Sequence, residues 1–140
     1  MYTKVKNSHE IAAMRESGRQ LALVLEHLRS VVTPGISTKE IADVAAEKLR
    51  QLGGKPAFLG YQGFPDVICI SINDEVVHGI PRRDRIVQNG DIVSLDFGVA
   101  VDRMITDAAI SVVAGTTDNP KITQLLTDTE QSLMAGINQL

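Results

Sequence analysis

Two aspartates, Asp96 and Asp107, are the residues whose type and spacing most directly suggest chemistry. They lie eleven positions apart in a segment of alternating apolar and small or polar residues, the pattern of β-strands. A turn at Asp102 and Arg103 would fold this segment into an antiparallel hairpin, although this pair is not among the strongly preferred two-residue turns. A loop with an odd number of residues would instead place the aspartates on opposite faces.

In the predicted register, Asp96 faces Ala109 and Asp107 faces Gly98. The two carboxylates then lie on one face as diagonal neighbours, with Cβ atoms about 7–8 Å apart. Like charges at this separation repel, which raises the pKa of one carboxyl group unless a cation neutralises the pair. Carboxylates so placed can also bind or bridge two divalent ions about 3.5–4 Å apart. Two alternatives stay open, because the carboxylates can point to solvent from an uncovered face or pair with a basic side chain.

Four other residues are candidates for binding or catalysis. His78 precedes a glycine, which allows close approach of the backbone, and a neutral imidazole can orient a bound amide or donate a proton. The alternative is an ordinary hydrogen-bonded histidine. Cys69 lies in an apolar run, where it either packs in the core or lines a pocket. Tyr61 and Phe64 either form the floor of an apolar pocket or close the end of the sheet.

The composition is that of a globular domain and argues against several classes of protein. The chain has 140 residues, of which 44% are hydrophobic and 22% are charged, with a net charge of -3. This length predicts a single domain over residues 1–140. The absence of a basic cluster and the 4% aromatic content argue against nucleic-acid binding. No apolar stretch approaches the about 20 residues that span a membrane.

The cysteine content and the first residues predict a cytoplasmic protein. The sequence has one cysteine, so it cannot form an internal disulfide, which is typical of a reducing compartment. Residues 1–6 contain lysines that no apolar run follows, so they do not resemble a signal peptide.

Periodicity predicts the elements that position these residues. Apolar residues at helical spacing, capping residues and glycine or proline stops indicate helices, while period-two patterns indicate strands. We expect helices over residues 8–32 and 38–52 and from Pro120 onwards, a buried strand over 67–72, an extended piece over 76–81, and the hairpin over 91–113. The first two helices have apolar stripes that must pack on a sheet. The fold class is therefore α/β.

Several runs of the sequence, taken together, closely resemble type I methionine aminopeptidases. They are residues 34–38, 59–65, 69–81, 90–96 and 106–109. The run Asn-Asp-Glu-x-x-His-Gly-Ile-Pro, combined with the two aspartates, makes the resemblance specific, and it covers nearly the whole chain. It implies half of a pita-bread fold, with an antiparallel sheet covered by helices on one face. It also implies removal of the N-terminal methionine from nascent peptides.

The resemblance assigns roles to three residues of the candidate site. Asp96 and Asp107 correspond to metal ligands, with Asp107 expected to bridge two ions. His78 corresponds to the residue that contacts the scissile amide and assists the leaving amine. The cofactor implied is one or two divalent metal ions per site, and a carboxylate-rich site takes Mn, Co, Fe or Zn according to availability.

The same resemblance places substrate-binding residues around the methionine side chain. Tyr61, Phe64 and Cys69 match positions that line this pocket, and His78 contributes to substrate binding as well. Position 62 is Gln where some family members have His, and position 64 is Phe where some have Tyr. Both differences keep the pocket apolar.

The resemblance covers the N-terminal half of the family's catalytic domain. In the family, the second half supplies a His and two Glu ligands, and one of the two Glu residues also acts as the general base. Nothing in this sequence matches these residues. One hypothesis is a half-length enzyme that works with a separate C-terminal half. A second is a homodimer that uses another copy as the missing half. A third is an inactive peptide-binding or protein-interaction module. A prolidase-like or aminopeptidase P-like enzyme is a related alternative that residues 69–81 fit less well.

Overall fold

The computed structural model describes residues 5–140, in which three α-helices accompany a four-stranded sheet. The helices are α1 (Ser8–Val31), α2 (Thr38–Leu52) and α3 (Pro120–Ile137). The strands are β1 (Lys55–Pro56), β2 (Ile68–Ile72), β3 (Ile92–Val101) and β4 (Met104–Val113). Residues 1–4, to which the single-domain and signal-peptide predictions also apply, lie outside the described residues. No helix of the described part is long and apolar enough to cross a membrane.

Helices α1 and α2 each begin with a capping box. The Asn7 side chain accepts a hydrogen bond from the Glu10 N–H at 2.9 Å, and the Glu10 carboxylate accepts one from the Asn7 N–H at 2.8 Å. Ser37 and Glu40 make the same reciprocal pair at α2. Each box satisfies backbone donors that a helix N-terminus leaves unpaired. Gly53, with φ of 80°, ends α2 in the left-handed conformation.

The sheet is antiparallel and has β3 at its centre. Strand β4 pairs with one side of β3, while β1 and β2 pair with the other. Helix α1 packs across β3 and β4, and α2 packs beside α1. Alternate residues of β3 point to these helices and are fully buried: Val93, Leu95, Phe97 and Val99. The helices therefore cover one face of the sheet, as predicted.

The opposite face of the sheet is open. Asp96 is half-buried there, whereas Asp107, Ala109 and Ser111 are exposed. Ile105 on the same face of β4 keeps 57% of its surface accessible. The residues with the potential for chemistry thus lie on a face that no helix of the described chain covers.

Helix α3 is present where the Asn119 cap and Pro120 predict it, yet it packs closely against none of the other described elements. Its apolar side chains remain accessible, with Leu133 at 62% and Ile137 at 48% exposure. A helix with an apolar stripe usually buries it against another element. The predicted helix is confirmed, but most of its apolar stripe stays accessible among residues 5–140.

The extended piece predicted over residues 76–81 is not a strand. His78 has φ of 61°, in the left-handed region, and interrupts any extended conformation. The next residue, Gly79, accepts a hydrogen bond from the Ile70 N–H at 2.8 Å and donates one to the Ser71 hydroxyl at 3.2 Å. A Cβ atom at Gly79 would overlap the Ile70 carbonyl, which explains the glycine. Contacts with β2, rather than local strand propensity, therefore fix this segment.

Candidate active site

The β3–β4 hairpin positions the two aspartates. Gly98 pairs with Asp107, which places Asp96 two residues away on the same face. The hairpin turn is Asp102 and Arg103, with φ of 46° and 68°. Positive φ at both turn residues matches the twist of the flanking strands. The predicted turn and register are confirmed.

The Asp96 and Asp107 side chains border the same cavity and interact with each other. The pKa of Asp96 is raised above the ordinary value of an aspartate. The main cause is partial burial, followed by repulsion from Asp107 and the hydrogen bond between the two groups, while His78 acts in the opposite direction. Like-charge repulsion therefore operates between these carboxylates, and a cation between them would relieve it.

A cavity of about 540 Å³ opens beside the carboxylates. All six predicted site residues line it: Tyr61, Phe64, Cys69, His78, Asp96 and Asp107. Its wall also includes Gln62, at the position where the sequence differs from some family members, and four residues that the sequence analysis did not single out: Phe58, Gly63, Pro65 and Ile80. A larger depression of about 890 Å³ beside the hairpin turn contains none of the predicted residues. The structure thus gathers the predicted residues around one cavity.

A tight turn shapes the aromatic side of the cavity. Tyr61 begins a single 3-10 turn, and its N–H donates to the Phe58 carbonyl at 2.9 Å. Gly60 closes the loop by donating to the Phe64 carbonyl at 2.9 Å. Gln62 adopts a φ of 48°, and its amide donates to the Tyr61 hydroxyl at 3.2 Å. These bonds hold both flanking aromatic rings in the cavity wall.

Cys69 lies across β2–β3 from Asp96 and is 4% exposed. Burial, with smaller contributions from the charges of Asp96 and Asp107, raises the pKa of its thiol to about 11. The thiol is therefore protonated at neutral pH, and a protonated thiol is a poor nucleophile. Cys69 is nearly fully buried and also lines the cavity, so its surroundings fit both the core-packing and the pocket-lining alternatives.

The two carboxylates, Asp96 and Asp107, supply some of the ligands that a divalent cation needs. Carboxylate oxygens are good ligands for Mn and for the borderline metals Fe, Co and Zn. Among residues 5–140, however, no group of three or more His, Cys, Asp or Glu side chains is arranged to hold a metal. The described chain thus offers two close protein ligands, and other coordination positions need another source.

Comparison with known proteins identifies the family. The sequence profile of metallopeptidase family M24 matches residues 12–140. The chain belongs to family M24. The M24 relatives include the methionine aminopeptidase of Aquifex aeolicus, which is 37% identical over 145 residues, a match that covers 99% of this chain and 56% of that protein. Methionine aminopeptidase 1 of Bacillus subtilis is 41% identical over 135 residues, covering 96% of this chain and 53% of that protein.

Solved structures of M24 proteins show the same relation. The methionine aminopeptidase of Thermotoga maritima superposes with a TM-score of 0.95 at 33% identity, covering 99% of this chain and 55% of that one. The prolidase of Pyrococcus furiosus gives a TM-score of 0.71 at 18% identity, which indicates a shared fold alone. The M24 chain therefore has half of a pita-bread fold, and the resemblance to methionine aminopeptidases is confirmed. It spans about half the length of the curated relatives it matches.

Proposed function

We propose that this chain forms one half of the active site of a metal-dependent aminopeptidase that removes the N-terminal methionine from nascent polypeptides. The observation that carries the proposal is the pair Asp96 and Asp107, held side by side at the edge of an apolar, aromatic-lined cavity in an M24 chain. The match to methionine aminopeptidases over nearly the whole chain supports this substrate class.

In this proposal Asp96 and Asp107 are the metal ligands, with Asp107 as the bridging residue. Their oxygens would hold one or two divalent ions, with Mn, Co, Fe and Zn as the candidates. The mutual repulsion of the carboxylates supports this role, because a cation turns an unfavourable contact into a favourable one. When bound, the metal supplies Lewis-acid activation of the scissile carbonyl and of the attacking water.

The cavity residues bind and orient the substrate. Tyr61, Phe64 and Cys69 contact the methionine side chain, whose thioether packs well against aromatic rings. His78 lies at the same cavity with its ring accessible, where it can donate a hydrogen bond or a proton to the amide nitrogen that becomes the leaving amine. The peptide thus binds with its first side chain in the cavity and its first amide near the carboxylates.

We further propose that activity requires a complementing half, supplied by a second copy of this chain or by a separate C-terminal half. Three observations support this requirement. The chain spans about half the length of its relatives, the described residues provide two close ligands, and both the carboxylate face and the stripe of α3 are exposed. Residues 1–140 form one domain in this scheme, and the free, buried Cys69 thiol supports a cytoplasmic location.

A second candidate function is an inactive module that binds peptides or other proteins. The observation that favours it is the same two-ligand set, since residues 5–140 bring no third ligand to the carboxylates. In that case the cavity would hold an apolar side chain of a peptide without cleaving the chain.

The first experiment measures binding of Mn²⁺ and Co²⁺ by calorimetry, together with hydrolysis of a Met-Ala-Ser peptide and the mass in solution by light scattering. Asp107→Asn is the test variant, and Asp74→Asn, at an exposed loop position, is the matched control. We expect metal binding that Asp107→Asn weakens and Asp74→Asn preserves. Activity in a dimer would identify a second copy as the complementing half.

A metal-binding monomer without activity would direct the same assay to a mixture with the C-terminal half of the Bacillus subtilis relative. Activity that appears on mixing supports a separate C-terminal half. Peptide binding without metal binding in the wild-type chain would refute the enzymatic proposal and favour the inactive module.

A further inference from the structure

Gly98 and Phe58 are in unusually close contact at the wall of the cavity. A Cβ atom built on Gly98 would lie 2.6 Å from Cε1 and 3.1 Å from Cδ1 of the Phe58 ring. It would also lie 3.0 Å from the Cβ atom of Ala57. Carbon atoms in good contact are separated by about 3.5–4.0 Å. The ring therefore occupies the space that a side chain at position 98 would take.

The backbone around this contact is fixed on both sides. The Ala57 N–H donates to the Gly98 carbonyl at 2.9 Å, and Pro56 pairs with Val99 in the sheet. On its other side β3 pairs with β4 along the full hairpin, and Gly98 faces Asp107 there. Neither strand can move away without loss of sheet hydrogen bonds. A side chain at position 98 would thus act mainly by displacing the ring of Phe58.

The contact lies next to the reacting groups. Gly98 is two residues from Asp96 on the same face, and it is the cross-strand partner of Asp107. Phe58 lines the cavity that both carboxylates border. The Phe58 ring can therefore form a wall beside the carboxylates because Gly98, the residue of β3 that it covers, has no side chain.

We propose that Gly98 is a specificity-determining residue. By leaving room for the Phe58 ring, it sets where this wall of the cavity lies, and thereby the size of the side chain that the cavity admits. This inference rests on the proposed function, in which the cavity receives the first side chain of a peptide, and it names the contact that limits the size of that side chain.

The test is a double-mutant cycle of Gly98→Ala and Phe58→Ala in the full chain. L-methioninamide and L-phenylalaninamide are the probes, and amide chemical shifts report their dissociation constants. Gly98→Ala should change the ratio of the dissociation constants for methioninamide and phenylalaninamide by about fivefold or more in the presence of Phe58, because the added methyl displaces the ring. In the Phe58→Ala background the same substitution should leave the preference unchanged, because the ring that it displaces is absent. Gly136→Ala, which meets nothing within 4 Å, is the control and should not change the preference.

Urea unfolding of the same proteins gives a readout that does not depend on ligand binding. Gly98→Ala should lower the unfolding midpoint more in the wild-type background than in the Phe58→Ala background, since the ring is the closest atom group to the added methyl. Non-additivity of the two substitutions supports the contact. Additive midpoints would overturn it.

The outcomes separate this inference from the proposed function. Equal preference in the wild type and in Gly98→Ala would overturn the inference while leaving the proposed function intact. Coupled stability without a change in preference would also overturn it, since Gly98 would then act in packing alone. A wild-type chain that binds neither amide would overturn the inference and count against the proposed function too. Metal binding and hydrolysis test that function separately.

Discussion

Replacement of Asp107 by Asn should stabilise the metal-free chain at neutral pH and weaken its binding of Mn²⁺. Asp96 and Asp107 border the same cavity, and burial followed by repulsion from Asp107 raises the pKa of Asp96. Asparagine has nearly the same shape, lacks the charge, and its amide can donate a hydrogen bond to the Asp96 carboxylate. The substitution therefore removes a repulsive contact and adds a favourable one when no metal is present.

The size of the effect follows from the exposure of the pair. Two unit charges 4 Å apart interact by about 4 kcal/mol at an effective dielectric constant of 20. Asp107 is exposed and Asp96 half-buried, so solvent screening reduces the net gain to about 1 kcal/mol. For a domain of this length, such a gain raises the melting temperature by about 4 °C.

The gain should depend on pH in a defined direction. Because the folded-state pKa of Asp96 is raised, the native metal-free chain binds more protons than the unfolded chain between the ordinary and the raised pKa. The free energy of unfolding therefore falls as pH rises through this window. Asp107→Asn removes the part of the pKa shift that repulsion causes. The free energy of unfolding of the variant should therefore exceed that of the wild type by little below this pH window and by the full amount above it.

Urea unfolding with EDTA, from about pH 4 to pH 7, measures this advantage as the difference between variant and wild type. Asp74→Asn, which removes a charge from an exposed loop, should show no such pH-dependent difference. With saturating Mn²⁺ the order should reverse, since the wild type binds the ion more tightly. A variant that is less stable than the wild type in EDTA, or a pH-independent gain, would refute the reasoning.

Three further predictions concern an ion pair, a backbone contact and the buried thiol. Lys39 Nζ lies 2.7 Å from the buried Asp66 carboxylate, and Lys39→Met removes this partner. The free energy of unfolding, measured with urea, should fall by about 1–3 kcal/mol. An unchanged urea midpoint would contradict this. Ser71→Ala removes the acceptor of the Gly79 N–H, so hydrogen exchange at that amide should accelerate by about fivefold. Unaltered exchange would mean that the hydroxyl does not hold the segment. Cys69, with its pKa of about 11, should react with iodoacetamide at pH 8 about a hundredfold more slowly in the folded chain than in urea. Equal rates would show that the thiol is neither buried nor perturbed.

The hairpin was predictable because its signals are local. Strict alternation assigns each residue to a face, and an even two-residue turn at Asp102 and Arg103 keeps Asp96 and Asp107 on the same face. The helix starts are local as well, since a capping box depends on residues three positions apart. These features needed no knowledge of the rest of the chain.

Other features of the site depend on contacts between distant segments. The left-handed conformation of His78 follows from the bonds of Gly79 to β2, which the pattern of residues 76–81 does not contain. Phe58 was missed because residues 57–66 have no periodicity. The bare backbone of Gly98 was the one signal that a ring packs there, and it becomes informative once the pairing of β1 with β3 is known.

The electrostatics of the open face lead to a last prediction, that metal and the complementing half bind cooperatively. A partner that covers this face would remove water from Asp96 and Asp107 and strengthen the repulsion that the half-exposed pair already shows. A cation between the carboxylates offsets that cost, so the two binding equilibria must favour each other reciprocally. Sedimentation equilibrium of the mixed halves should show weaker association in EDTA than in Mn²⁺. In Asp107→Asn the difference should shrink, because less charge is left for the metal to neutralise. Association that is independent of metal in the wild type would show that the partner does not cover the carboxylates.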